Sequence, residues 1–219
     1  MPFDPTFSAP EQRGVPVDPA QLTPVALRQR FASPPAWQPE ITADPRLFDA
    51  ATPPRPAAVL LPVVARPAGT TLLLTERTAH LHDHAGQISF PGGRVEAADA
   101  DALHTALRET HEEIGLAPHA VDVLGMLPEY LTATGYLVTP VVGLVHEPFT
   151  LDLDTFEVAE VFEVPLDFLM NPAHHERRRV VLQDYARTFY AMPYSSSRRY
   201  FIWGATAAML RNLYHFLRA

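Results

Sequence analysis

Proline divides this chain before any motif is sought. Thirteen of its 23 prolines fall in residues 1–56, and the other ten are spread over residues 57–219. Each proline fixes φ at about −65° and removes a backbone donor, so a stretch this rich cannot sustain a long helix or a central strand. Residues 1–56 are therefore expected to be a Pro-rich N-terminal extension, and residues 57–219 the folded body. Inside the extension, Asp18-Pro19-Ala20 predicts a helix running to about Phe31. Asp18 would be its N-cap, proline would occupy its first turn, and Leu22, Val25, Leu27 and Phe31 would dock on the body.

From residue 57 the texture becomes β-rich. Ala57–Ala65 and Thr70–Thr75 read as two strands joined by Arg66-Pro67-Ala68-Gly69, a hairpin connection. A short strand over Gln87–Phe90 leads into Pro91-Gly92-Gly93, where the chain turns sharply. Asp99 and Asp101 then signal the start of a helix spanning about Asp101–Ile114, and Gly115 stands where a C-terminal cap belongs. Val121–Met126 and Leu137–Val145 predict further strands, Glu157–Val164 is ambiguous, and Pro165 opens a turn of helix. Strands near Arg179–Leu182, Thr188–Ala191 and Tyr200–Trp203 precede an amphipathic helix over Ala205–Leu217. Without regular βαβ alternation, this mixture favours an α/β sandwich over a doubly wound sheet.

Composition then removes whole classes of chemistry. The chain has no cysteine, which excludes disulfides, thiolate metal sites and a thiol nucleophile. All 17 basic residues are arginine, so there is no Schiff-base lysine and no G-x-x-x-x-G-K-[ST] phosphate loop. A net charge of −8 gives no overall field to attract nucleic acid or an anionic membrane. An anionic substrate needs local arginine or a bound cation. The start of the chain is polar and Pro-rich, unlike a signal peptide, and no apolar run reaches about 18 residues, so a soluble cytoplasmic protein is the default expectation.

The most informative segment is Arg108-Glu109-Thr110-His111-Glu112-Glu113-Ile114-Gly115. Glu109, Glu112 and Glu113 are spaced i, i+3, i+4 and share a helix face. Three like charges repel there, whereas a hard divalent cation accepts several carboxylate oxygens at once. An ordinary solvated acidic face is the plainer reading of such a trio. Against it stand the glycine turn directly ahead of the helix and an opposing apolar or small-residue face of Leu103, Ala106, Leu107, Thr110 and Ile114.

These residues resemble the Nudix hydrolase box, G-x5-E-x7-R-E-x2-E-E-x-G, whose second half is present as Arg108, Glu109, Glu112, Glu113 and Gly115. The first half departs. Counted from Gly93, Arg108 falls one residue late, and an acidic run of Glu96, Asp99 and Asp101 replaces the box Glu, leaving open which acid takes its role. Upstream, Leu73-Leu74-Thr75-Glu76-Arg77-Thr78 and Gly86-Gln87-Ile88-Ser89-Phe90-Pro91-Gly92-Gly93 are similar to the coenzyme A pyrophosphatase branch of that superfamily. Thr134–Gly143 and Tyr200–Ala207 are similar to it as well. Thr78 and His82 differ from that branch's usual residues.

The resemblance implies a Nudix-type α/β/α sandwich with a mixed β-sheet, using Mg²⁺ or Mn²⁺ to hydrolyse the diphosphate of coenzyme A. Its products would be 4′-phosphopantetheine and adenosine 3′,5′-bisphosphate. It implies metal ligation by Glu109, Glu112 and Glu113 with the Gly93 carbonyl; Glu157 matches an acidic position of the branch and is a candidate general base, with a solvated loop acid as its plainer reading and Glu109 and Glu113 as competitors. Arg108 is expected to point to another side of the helix from Glu112 and Glu113 and to position a carboxylate rather than touch substrate. Arg77, Arg94, His84 and Tyr136 are the candidate substrate contacts, with Phe90 and the run Arg177-Arg178-Arg179 as weaker ones. A Nudix pyrophosphatase for ADP-ribose, a dinucleotide or a nucleoside triphosphate, and a catalytically silent nucleotide-binding module, are the alternatives. A small molecule is the expected partner, with neither nucleic acid nor membrane, and a homodimer is left open. Alternating His80, His82 and His84 suggest zinc less well than a polar loop over the site, because the usual zinc partners are missing.

Overall fold

The computed structural model describes residues 6–10, 14–44, 52–80, 86–182 and 185–219; for 6–10, 180–182 and 185–187 it describes the backbone alone. Its elements, in chain order, are β1 (Thr6–Pro10), α1 (Pro24–Ala32), β2 (Arg55–Arg66), β3 (Gly69–Arg77), β4 (Ile88–Ser89), β5 (Gly92–Arg94) and α2 (Ala102–Ile114). There follow β6 (Val121–Met126), β7 (Tyr130–Leu131), β8 (Tyr136–Val145), β9 (Val158–Pro165) and α3 (Leu166–Leu169). β10 (Glu176–Leu182), β11 (Tyr185–Ser195), β12 (Arg199–Trp203) and α4 (Ala205–Arg218) complete the chain.

Alternation along the central strands explains the layering. In β2, Ala58, Leu60 and Val64 pack with Ala106 and Ile114 of α2, while Ala57, Leu61 and Val63 join the cluster that contains Leu210, Leu213 and Leu217 of α4. Leu73 of β3 and Val141 and Val145 of β8 face α2; Leu72, Leu74, Val142 and Leu144 face the other way. A strand buried on both faces reads as a continuous apolar run, and Val59-Leu60-Leu61-Pro62-Val63-Val64 is one. The sheet is therefore sandwiched between helices. Among the described residues it has eight strands in the path β4-β3-β2-β8-β6, with β5 on β2, β7 on β8 and β9 on β3. The β2–β8 pair is parallel and its neighbours antiparallel, so the sheet is mixed. No helix among the described residues is long and apolar enough to cross a membrane.

A second antiparallel sheet, β1-β10-β11-β12, was not expected as a separate unit. Its first strand comes from the extension, where sequence reading placed only a helix. That helix is also corrected. Asp18 caps a 3-10 turn over Pro19–Leu22, and Thr23 then caps α1 through a bond to its Oγ1 from the Ala26 N–H. Pro24, lacking an N–H, fits only a first helical turn, so the segment breaks and restarts there. Leu22 and Leu27 are buried as expected, but Val25 is 65% exposed.

The extension is stitched to α4. The Glu40 and Ile41 N–H groups donate to Asn212 Oδ1 at 3.1 and 3.3 Å, and Asn212 Nδ2 donates to the Ile41 carbonyl. Glu40 accepts from the Tyr190 hydroxyl, Arg211 Nε and His215 Nε2. Burial works against its charge, but those bonds outweigh it and pull the carboxyl down to about 2. The buried His175 is pushed down to about 4 by burial; it sits between the Leu169 carbonyl and Arg211, so it is neutral at physiological pH.

Candidate active site

Helix α2 is set by its ends. Asp101 accepts from the His104 N–H at 2.8 Å, and Gly115, at φ 71°, ends the helix in the left-handed conformation. Its buried face, Thr105, Ala106, Thr110, Glu113 and Ile114, includes one acid among small and apolar residues. That acid marks the site. Before the helix, β5 lies against β2, and a Cβ on Gly92 would come within 2.4 Å of the Ala58 carbonyl oxygen, while one on Gly93 would lie 2.4 Å from the Glu109 carboxylate. Only bare backbone lets strand and helix approach so closely.

Of the acidic run, Asp99 is the residue bonded to Arg108. Its side chain is fully buried and takes Arg108 through two parallel bonds, Nε to Oδ1 and Nη2 to Oδ2, each 2.9 Å. The Arg108 bond is the main reason its carboxyl lies far below the usual range, with the Glu96 N–H helping. Asp101 is instead the helix cap. The expectation for Arg108 is corrected in one respect: its Nη1 lies 2.9 Å from both Glu109 Oε1 and Glu112 Oε2, so it shares a side with Glu112. Residues i and i+4 stack one turn apart, which makes that contact the natural one.

Glu113 is 7% exposed and accepts from the Gly92 N–H at 3.0 Å. Burial pushes its carboxyl up to about 7 against the pull of Gly92 and Arg77, with Glu157 and Glu109 repelling its charge. Burial also raises Glu109, although Arg108 opposes this. Glu109, Glu113, Glu157 and Arg77 all line one cleft of about 840 Å³, a size that suits a nucleotide. Arg77 bridges two of the acids, with Nη1 at 3.6 Å from Glu113 and Nη2 at 3.7 Å from Glu157. The Glu157 loop is tied to the end of β3 by Thr78, whose N–H donates to the Glu157 carbonyl and whose Oγ1 donates to the Phe156 carbonyl at 2.7 Å.

Glu112 is not part of the cleft lining; its side chain is 57% exposed and held by Arg108. Among the described residues no three His, Asp or Glu side chains converge closely enough to enclose an ion by themselves. Glu109 and Glu113, both with their charge disfavoured by burial and like charges, nevertheless fit a hard divalent cation. Mg²⁺ commonly takes one or two carboxylates and completes its shell with water and substrate phosphate.

The same lining carries Arg94 and Tyr136, both foreseen, and Arg55, which sequence reading missed. Arg55 opens β2 directly after Pro53-Pro54, in the stretch assigned to the extension by its prolines. Trp203 also lines the cleft, together with the largely buried Phe90. Arg177, Arg178 and Arg179 lie on β10 rather than a loop and do not line the cleft; Arg178 pairs with Glu176. His82 and His84 lie outside the described residues, and the His80 ring packs on Phe156 at 4.8 Å.

Residues 54–185 match the NUDIX domain family. The chain is 45% identical over 160 residues to the uncharacterized Nudix hydrolase NudL of Escherichia coli (strain K12), covering 73% of this chain and 81% of the relative. It is 44% identical, over the same shares, to NudL of Shigella boydii serotype 18. Among solved structures, the Nudix hydrolase RenU of M. smegmatis overlaps 53% of this chain and 73% of its own at 26% identity and a TM-score of 0.45. Enzymes of the family generally use divalent metal cations. With its helix-borne carboxylates, glycine turn and sheet in place, the chain belongs to the Nudix hydrolase family.

Proposed function

We propose that this enzyme hydrolyses the diphosphate of coenzyme A, giving 4′-phosphopantetheine and adenosine 3′,5′-bisphosphate. The observation that carries the reaction class is the buried Glu113, beside Glu109 and bonded to the Gly92 N–H, facing a cleft with Arg77 and Glu157. Support for coenzyme A comes from the Gly86–Gly93, Thr134–Gly143 and Tyr200–Ala207 segments, which resemble the coenzyme A pyrophosphatase branch.

Glu109, Glu113 and the Gly93 carbonyl would hold the cation, with Glu112 as a further carboxylate now engaged by Arg108. A bound cation supplies charge on the phosphoryl oxygens and a more acidic water. Asp99 acts through Arg108, which fixes Glu109 and Glu112 and has no place in the cleft lining. Arg77, beside Glu113 and Glu157, would neutralise a phosphoryl oxygen that the acids repel. Glu157 is the general base in this reading, because Glu109 and Glu113 are committed to the cation while Glu157 is 44% exposed on a loop held by Thr78. Water oxygen bonds to one phosphorus, the bridging P–O bond breaks toward the other phosphate, and the water proton passes to Glu157.

Product analysis by chromatography and mass spectrometry tests the reading, using the full chain with Mg²⁺ or Mn²⁺ and coenzyme A, ADP-ribose and a nucleoside triphosphate in parallel. The two named products from coenzyme A are expected. Cleavage of ADP-ribose with coenzyme A untouched would overturn the substrate, and coenzyme A binding without any cleavage would mean a silent module.

A further inference from the structure

The cleft lining holds two groups of arginine. In one, Arg77 shares the lining with Glu109, Glu113 and Glu157 and lies within 3.7 Å of Glu113 and Glu157. In the other, Arg55 and Arg94 converge on a single ring, that of Tyr136. The Arg55 guanidinium lies 4.2 Å over the ring centroid and its Nη2 donates to the Thr134 carbonyl at 3.0 Å. Arg94 donates from Nε to the Tyr136 hydroxyl at 2.9 Å and from Nη2 to the same oxygen. Neither arginine forms an ion pair with an acidic side chain among the described residues, although the chain has 25 acids to 17 arginines.

Their placement is a property of the sheet. Arg55 is paired with Tyr136 in the β2–β8 register, and Arg94 is paired with Ala57, two residues further along β2. Three neighbouring strands thus set two guanidiniums around one aromatic, each oriented by a fixed acceptor. Two like charges so close repel. The ring face offsets part of that repulsion, and an anion between them would offset the rest. Because Tyr136 accepts from Arg94, its own hydroxyl proton is directed elsewhere and can be given to a ligand oxygen.

We infer that Arg55 and Arg94, braced on Tyr136, form a clamp for a phosphate monoester that the substrate carries apart from its scissile diphosphate. The inference rests on the coenzyme A reading, in which that group is the 3′-phosphate of the adenosine. A dianionic monoester offers three terminal oxygens to two planar donor forks, the geometry for which arginine is suited. Arg77, held by Glu113 and Glu157, is left to the diphosphate.

Calorimetric titration of the full chain, without metal, with adenosine 3′,5′-bisphosphate and with adenosine 5′-monophosphate reads the clamp without any turnover. Wild type should bind the bisphosphate about 10- to 100-fold more tightly, the range expected for charged hydrogen bonds. Arg55→Gln and Arg94→Gln should each cut that ratio to about threefold or less, with Arg55→Lys between them and wild type; thermal unfolding checks that each variant is folded. Tyr136→Phe, which keeps the ring under Arg55 and frees Arg94, should lose part of the ratio. Equal affinity of wild type for the two nucleotides, or an undiminished ratio in folded Arg55→Gln and Arg94→Gln, would overturn the clamp. The parallel comparison of coenzyme A with its 3′-dephospho form separates the two ideas. No cleavage with the binding ratio intact removes the proposed reaction and leaves the clamp, whereas cleavage of both compounds with equal KM removes the clamp alone.

Discussion

Replacing Glu113 with Gln should make the metal-free protein more stable and the enzyme nearly inactive. The carboxyl is 7% exposed, and burial lifts it from 4.5 to about 7. At about 1.36 kcal/mol per pH unit, that rise corresponds to about 3 kcal/mol held against the folded state once the group is ionised. The sign follows from the direction of the shift. The folded value exceeds the unfolded one, so the penalty is absent below pH 4.5, grows as pH rises through 7 and is complete above it. The Glu113→Gln side chain keeps an acceptor for the Gly92 N–H, but its amide meets Arg77 Nη1, 3.6 Å from the present oxygen, which costs about 1 kcal/mol. A net gain of about 1–2 kcal/mol remains at about pH 8.5, or about 2–8 °C in Tm for a chain of this size. Thermal unfolding in EDTA at about pH 8.5 and about pH 4.5 measures it: at the lower pH the gain is gone and only the amide's cost remains, so the variant should be the less stable by about 1 kcal/mol. Saturating Mn²⁺ should reverse the order, since a ligand at a hundredfold excess over Kd adds about 2.7 kcal/mol and the variant lacks a charged oxygen to hold it. A variant no more stable than wild type in EDTA at the higher pH, or stabilised equally by Mn²⁺, would refute the reasoning.

Three further perturbations probe the supports of the site. Gly93→Ala places a methyl 2.4 Å from the Glu109 carboxylate, and kcat should fall about 100-fold while the far-ultraviolet circular dichroism is unchanged. Asp99→Asn removes the charge that takes Arg108 in two bonds, and Mn²⁺ affinity measured by titration should weaken about 10- to 100-fold. Glu40→Gln should lower stability by about 1–2 kcal/mol, discounted because Glu40 and His215 are each about a third exposed, without changing kcat. Since the Glu40 carboxyl is depressed, its stabilisation is present above pH 4.5 and lost as pH falls toward 2, so the two proteins' midpoints should merge in acid.

The parts legible in the sequence are those set locally. Helix α2 was foreseen almost to the residue because Asp101 and Gly115 are caps whose chemistry acts within one turn. The Arg66–Gly69 hairpin follows for the same reason. β1 escaped notice because it depends on pairing with residues more than 160 positions away, whereas β10, β11 and β12, joined by local pairing, were read as strands but not as a separate sheet. The break at Thr23-Pro24 was legible in principle, since a second proline within a helix start allows a second cap. In the site, spacing alone put three glutamates on one face, but it could not say that Glu113 turns into a buried cleft while Arg108 draws Glu112 outward. Arg55 was hidden by its neighbours: Pro53 and Pro54 assign the segment to the extension, and only the β2–β8 register sets Arg55 against Tyr136.

Cation-dependent cleavage of a phosphoanhydride at the Glu109–Glu113 face is the central claim. Incubating the full chain with coenzyme A and Mn²⁺ in ¹⁸O-water, with mass spectrometry of both phosphate-bearing products, measures it. One ¹⁸O atom should enter only one of the two products, and no product should form in EDTA. An enzyme that leaves coenzyme A intact with Mn²⁺, or cleaves it equally well in EDTA, would contradict that claim.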